Sequence, residues 1–134
     1  MIASALAILA GCVAGVLLLA RLLDGDRLAT PAHGAFYLAL LACLYPLFCV
    51  LTGPVEALPR HALIAAGCVA LALAGLWLGF APVIAGFVAQ GVLNVVMGLG
   101  SHPGHDLWPG FAAALALTLA SGLTLLTRDD WSLW

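Results

Sequence analysis

Long apolar runs separated by short polar interruptions set the pattern of this chain. Charged residues mark the interruptions. None precedes Arg21, none lies between Arg27 and Glu56, none between Arg60 and Asp106, and none between Asp106 and Arg128. An uncharged apolar run of about 18 residues or more has the length of a membrane-spanning helix. Inside hydrocarbon every backbone N–H and C=O must be paired within the protein, which a helix achieves on its own. A membrane barrel would alternate polar and apolar positions over roughly ten-residue stretches. Runs such as Val16–Ala20 and Ala70–Phe80 do not alternate.

The punctuation places the helices. The first is expected over 2–23 and is closed by the turn-rich Asp24-Gly25-Asp26-Arg27. The second, over 31–52, opens at Thr30-Pro31, where Thr suits the cap and Pro the first turn. Pro46 is expected to kink it, and Gly53-Pro54 to end it. A single helix over 62–100 would be about 58 Å long, roughly twice the hydrocarbon core. The break falls at Gly79-Phe80-Ala81-Pro82, giving helices over 61–80 and 82–100. The last helix is expected over 107–127. These elements predict an all-α integral membrane protein, a bundle of five transmembrane helices forming one domain over 1–134. The alternative is four helices plus a re-entrant segment at 82–100, because Gly86, Gln90, Gly91, Asn94 and Gly98 make that segment the most polar and glycine-rich.

Composition narrows the picture to the membrane. The chain of 134 residues is 65% hydrophobic and 7% charged, against about 25% charged in a soluble domain. A net charge of −2 without a basic cluster leaves nucleic acid without an electrostatic footing. Leu9-Ala10-Gly11-Cys12 has the form of a lipoprotein cleavage box, but no Lys or Arg precedes it and the apolar run continues to Ala20. Cys12, Cys43, Cys49 and Cys68 lie in apolar runs with no C-x-x-C spacing and read as packing residues.

With five helices, Arg21, Arg27 and Arg128 share one side and Arg60 the other. Basic residues favour the cytoplasmic side. The expectation is a multi-pass protein of the cell (inner) membrane, N-terminus outside and C-terminus cytoplasmic. Tyr37, Trp77, Trp131 and Trp134 would then mark the inner interface and Trp108 the outer one.

Small residues recur four apart: Ala3, Ala7, Gly11 and Gly15 in the first helix, Gly75 and Gly79 in the third, and Gly110, Ala114, Thr118 and Gly122 in the fifth. Such stripes let helices approach closely in lipid. Gly11, Gly15, Gly75 and Gly79 are the expected packing positions, within one bundle or between copies in a homo-oligomer or larger membrane complex.

Chemistry is sparse. Gln90 and Asn94, four apart on one helix face, are the most polar side chains at membrane depth. They suit either a polar ligand or an interhelical hydrogen bond. No Asp, Glu, Lys or Arg falls away from a predicted helix end. That argues against a proton-driven transporter and against paired-carboxylate catalysis, so an enzyme is the less favoured class. His61, His102, His105 and Asp106 fall on the outer side of this threading and form a candidate Zn2+ or Cu2+ set. Haem ligation would normally draw on histidines within helices. His33 stands apart on the inner side. Three functions follow: a membrane subunit or oligomeric module, a channel or transporter for a small neutral or polar solute using Gln90 and Asn94, and an outer-face metal-binding protein or enzyme.

Overall fold

The computed structural model describes residues 1–24, 27–28, 30–100 and 105–128, with backbone alone for Asp24, Arg27 and Leu28. Five helices carry the fold: α1 (Ile2–Leu22), α2 (Pro31–Thr52), α3 (Leu58–Leu78), α4 (Phe80–Gly98) and α5 (Trp108–Thr127). They are 19 to 22 residues long, about 28–33 Å at helical rise. All five are long and apolar enough to cross a bilayer, whose hydrocarbon core is about 30 Å. The chain is an all-α, multi-pass membrane bundle. The segment expected at 82–100 is one continuous helix, so the re-entrant alternative gives way to a full span.

The helix ends follow local chemistry. α3 starts at Leu58, earlier than the expected 61, because Pro59 fits its first turn and a short 3-10 turn, Val55–Ala57, leads into it. α4 likewise starts at Phe80, with Pro82 in the first turn, where its missing N–H costs no helical bond. Gly79 is the single residue between α3 and α4. Its φ of 85° and ψ of −153° lie where only glycine sits comfortably. The turn therefore requires glycine at this position. α2 runs on through Pro46. Thr30 occupies the cap position of α2, but its hydroxyl lies 3.2 Å from His33 Nδ1 and does not bond the first-turn backbone. After α1, strands β1 (Leu23–Asp24) and β2 (Arg27–Leu28) pair antiparallel where only a loop is expected.

Packing is carried by close approaches. α1 rests chiefly on α5, α5 also contacts α4, and α4 contacts α3 and α2, which pack on each other. The small stripes of α1 and α5 meet: a Cβ at Gly11 would strike the Phe111 carbonyl, one at Gly15 the Thr118 side chain, and one at Gly122 the Leu19 side chain. Gly75 of α3 takes Val83 of α4, and Gly86 of α4 takes Leu38 of α2. Leu38, Phe87, Leu119 and Leu123 fill the interior. Large apolar side chains such as Leu9, Val16, Leu63, Trp77 and Val92 face outward, which lipid accepts without cost.

Candidate functional site

The contacts register the helices end to end. Gly11 meets Phe111 and Gly15 meets Thr118, so α1 and α5 run parallel. Leu38 meets Gly86 and Tyr45 meets Asn94, so α2 and α4 run parallel. The start of α1, the end of α2, the start of α3, the end of α4 and the start of α5 therefore share one end of the bundle. His61, Asn94, Asp106 and Trp108 all belong to that end.

α4 supplies the polar core. Its buried face is Val83, Ile84, Gly86, Phe87, Gln90, Gly91 and Asn94, a helical stripe that turns from apolar to polar toward this end. Gln90 is 3% exposed and Asn94 1%. The Asn94 amide nitrogen donates to the Gln90 carbonyl at 2.7 Å. Tyr45 of α2 donates its hydroxyl proton to Asn94 Oδ1 at 2.8 Å. The amide orientation follows from this pair of bonds. A backbone carbonyl can only accept, so the amide nitrogen must face it, and the oxygen is left for Tyr45. Cys68 of α3 directs its thiol at Gln90 Oε1 across 3.8 Å, a long and weak contact.

Tyr45 is held on its other side. Its ring stacks on His61 with centroids 5.3 Å apart and planes 16° from parallel, and Phe48 meets it edge-on at 6.1 Å. Phe48 passes the contact to Trp108 at 5.5 Å. An aromatic row thus crosses from α3 through α2 to α5. His61 is 1% exposed, and its Nε2 has no hydrogen-bond partner among the described residues. A buried ring nitrogen without a partner is uncommon, because its desolvation goes unrepaid.

Beside this cluster a cleft of about 440 Å3 lies between α1, α4 and α5. Its walls are mainly apolar, with Ile8, Val95 and Leu117 among them, and its polar contributors are Ser4, Asn94 and Asp106. Gly110, Ala113 and Ala114 of α5 leave the room. The size falls within the usual range for small-molecule sites, and so does the mixture of apolar walls and few polar groups.

The structure brings Gln90 and Asn94 together and adds Tyr45, His61 and Cys68 to them. Of the candidate metal set, His61 is buried against Tyr45, while His105 and Asp106 are exposed. His105 Nδ1 instead accepts from the Leu107 N–H at 3.2 Å. His102 lies outside the described residues. Among the described residues no three His, Cys, Asp or Glu side chains come together to hold a metal ion. Of the cysteines, Cys49 and Cys68 are buried, Cys12 is half-buried and Cys43 faces outward, so Cys43 is not the packing residue the sequence leads one to expect. Gly11, Gly15 and Gly75 lie at helix contacts, and Gly79 at the turn.

Tyr45 is the participant that sequence reasoning passes over. A phenol inside an apolar span needs an acceptor, and Gln90 and Asn94 are the carboxamides at that depth. Comparison with known proteins adds nothing to this geometry: no protein-family model, curated protein or solved structure matches the chain.

Proposed function

We propose that this chain is a small polytopic membrane protein that binds a small solute in the α1–α4–α5 cleft, with Asn94 as its polar contact. The observation that carries the reading is the double position of Asn94. It belongs to the buried hydrogen-bonded cluster and also lines the cleft. Gln90 supports it from the preceding turn through its carbonyl. Transport would be an elaboration of such binding. The orientation that fits the arginines puts the cleft end outside and the C-terminus in the cytoplasm of an inner-membrane protein.

The test is photolabelling in lipid nanodiscs with a diazirine-bearing fatty alcohol, a probe whose hydroxyl both donates and accepts. Adducts are expected on Ile8 and Leu117, and at least about fivefold fewer in Asn94→Leu, the loss of one neutral hydrogen bond. Asn94→Leu also strands the Tyr45 hydroxyl, so the Tyr45→Phe/Asn94→Leu pair is the control that keeps the interior satisfied. Adducts spread evenly over lipid-facing positions would refute the site.

A second reading has its own observation. The Tyr45–Asn94 bond ties α2 to α4, which also suits a membrane subunit or oligomeric module whose work is assembly with copies of itself or a larger complex. Under that reading the fatty alcohol finds no preferred position, and the same substitutions release co-purifying subunits.

A further inference from the structure

Resting on the solute-binding reading of the α1–α4–α5 cleft, we infer that its solute is an amphiphilic cation, with an apolar body among Ile8, Val95 and Leu117 and one positive head group held at the rim by Asp106. The lining is graded along the helices. Asp106 lies on the exposed turn that leads into α5, and Ser4 in the first turn of α1. Ile8 is set about 9 Å into α1 at helical rise. Leu117 lies about 14 Å beyond the start of α5. The cleft thus passes from a charge at the water to hydrocarbon inside.

The charge balance has one sign. Asp106 is the one charged side chain among the described residues that line the cleft. Arg60 belongs to the same end of the bundle but to α3, which contributes no lining residue, and Met1 at the start of α1 does not line the cleft either. Glu56, in the turn before α3, adds a second negative charge at this end. A carboxylate beside low-dielectric walls acts on a head group more strongly than one in open water, and it repels an anion. Because Asp106 is exposed, a cation paired with it keeps water on its open side and is not stripped of its hydration.

The interior takes the body of the solute. The other polar lining residues, Ser4 and Asn94, are neutral, so the choice between charged head groups rests on Asp106 alone. An apolar void of about 150 Å3 holds one benzene ring, and a cleft of about 440 Å3 therefore admits two.

The experiment is competition against photolabelling by the diazirine fatty alcohol in phosphatidylcholine nanodiscs at low salt. The competitors are benzylamine, benzyl alcohol, ethylbenzene and benzoate, each corrected for its own membrane partitioning. Benzylamine should reduce the Ile8 and Leu117 adducts at a concentration about three- to fivefold below that needed for benzyl alcohol or ethylbenzene, the upper range for an exposed ion pair. Benzoate should be the weakest, and raised salt should erase the order. Asp106→Asn should bring benzylamine level with benzyl alcohol, and Asp106→Lys should put benzoate ahead of benzylamine. A merely structural part for Asp106 would weaken every competitor alike and would not reverse their order. Dodecylamine, compared with benzylamine after the same correction, tells a lipid-like amphiphile from a compact solute, and a gain over its matching alcohol supports the cation in either case. Benzylamine no better than benzyl alcohol, or a preference that survives Asp106→Asn, overturns the cation and leaves the cleft standing. Absence of cleft adducts from the fatty alcohol itself overturns the solute-binding reading beneath it. The wild-type series and its salt dependence decide the head group even if the variants do not fold.

Discussion

At the scale of single residues, the polar interior is a chain with one closed link and one open end. The closed link is Tyr45–Asn94, buried and 2.8 Å long. Interhelical hydrogen bonds of this kind contribute about 0.6 kcal/mol on average, up to about 1.7, because the unfolded helices in the membrane also find partners. Tyr45→Phe and Asn94→Leu should each lower stability in mixed-micelle unfolding. The double variant should cost less than the two single losses added, since neither polar group is then stranded. Strict additivity would show that the bond carries no energy. The open end is His61 Nε2. His61→Phe keeps a flat ring against Tyr45 and removes the unpartnered nitrogen, so the unfolding midpoint should hold or rise. A fall of more than about 1 kcal/mol would mean that a bound water or ligand completes that nitrogen. Part of this was legible beforehand. Gln90 and Asn94 stand out in an apolar run and their spacing puts them on one face. Their link to Tyr45 was not, because it depends on α2 and α4 lying side by side, and no local pattern states which helices are neighbours.

At the scale of helices, sequence spacing does two kinds of work that look alike on paper. Gly11 and Gly15 are contacts: α5 lies so close that a side chain there would enter the Phe111 carbonyl or Thr118. Gly11→Leu should therefore loosen α1 from α5, at a cost of about 1–3 kcal/mol for overpacking. The particle size in detergent should stay unchanged, because that face of α1 is already occupied within the chain. A change in size with stability intact would instead make α1 a contact between copies. Gly79, four residues after Gly75, fits the same stripe, yet it serves a backbone conformation at φ 85°. Gly79→Ala should cost about 1–3 kcal/mol through strain alone, whereas a packing role would be far more sensitive to Leu than to Ala. The stripe signal cannot separate these cases because it registers side-chain size, and a turn residue is chosen for its dihedral angles. The helix starts at Leu58 and Phe80 were likewise a few residues off, since both prolines sit inside the first turn and not at its edge.

At the scale of the whole molecule, the five spans make the cleft end and the arginine-rich end opposite faces of the membrane. Arg21, Arg27 and Arg128 lie at one end, and Arg60 and Asp106 at the other. Each basic residue held on the cytoplasmic side favours one orientation, while acidic residues contribute little to the choice. The expected orientation is N-terminus out and C-terminus in, which opens the Asn94 cleft toward the outer leaflet and its aqueous side. A reporter fused after Trp134 should be active only in the cytoplasm, and a cysteine placed at Glu56, in the turn between α2 and α3, should react with an impermeant maleimide from outside intact cells. The two readouts are linked by the odd number of spans. A C-terminus found outside together with a Glu56 position sealed from the outer reagent would invert the molecule and turn the cleft to the cytoplasm, so that its solute would have to come from within the cell. Shifting the arginine balance tests the cause as well as the outcome. Moving two of Arg21, Arg27 and Arg128 to the Val55–Ala57 turn should produce that inverted form, since no large loop among the described residues offers anything else to hold one orientation over the other.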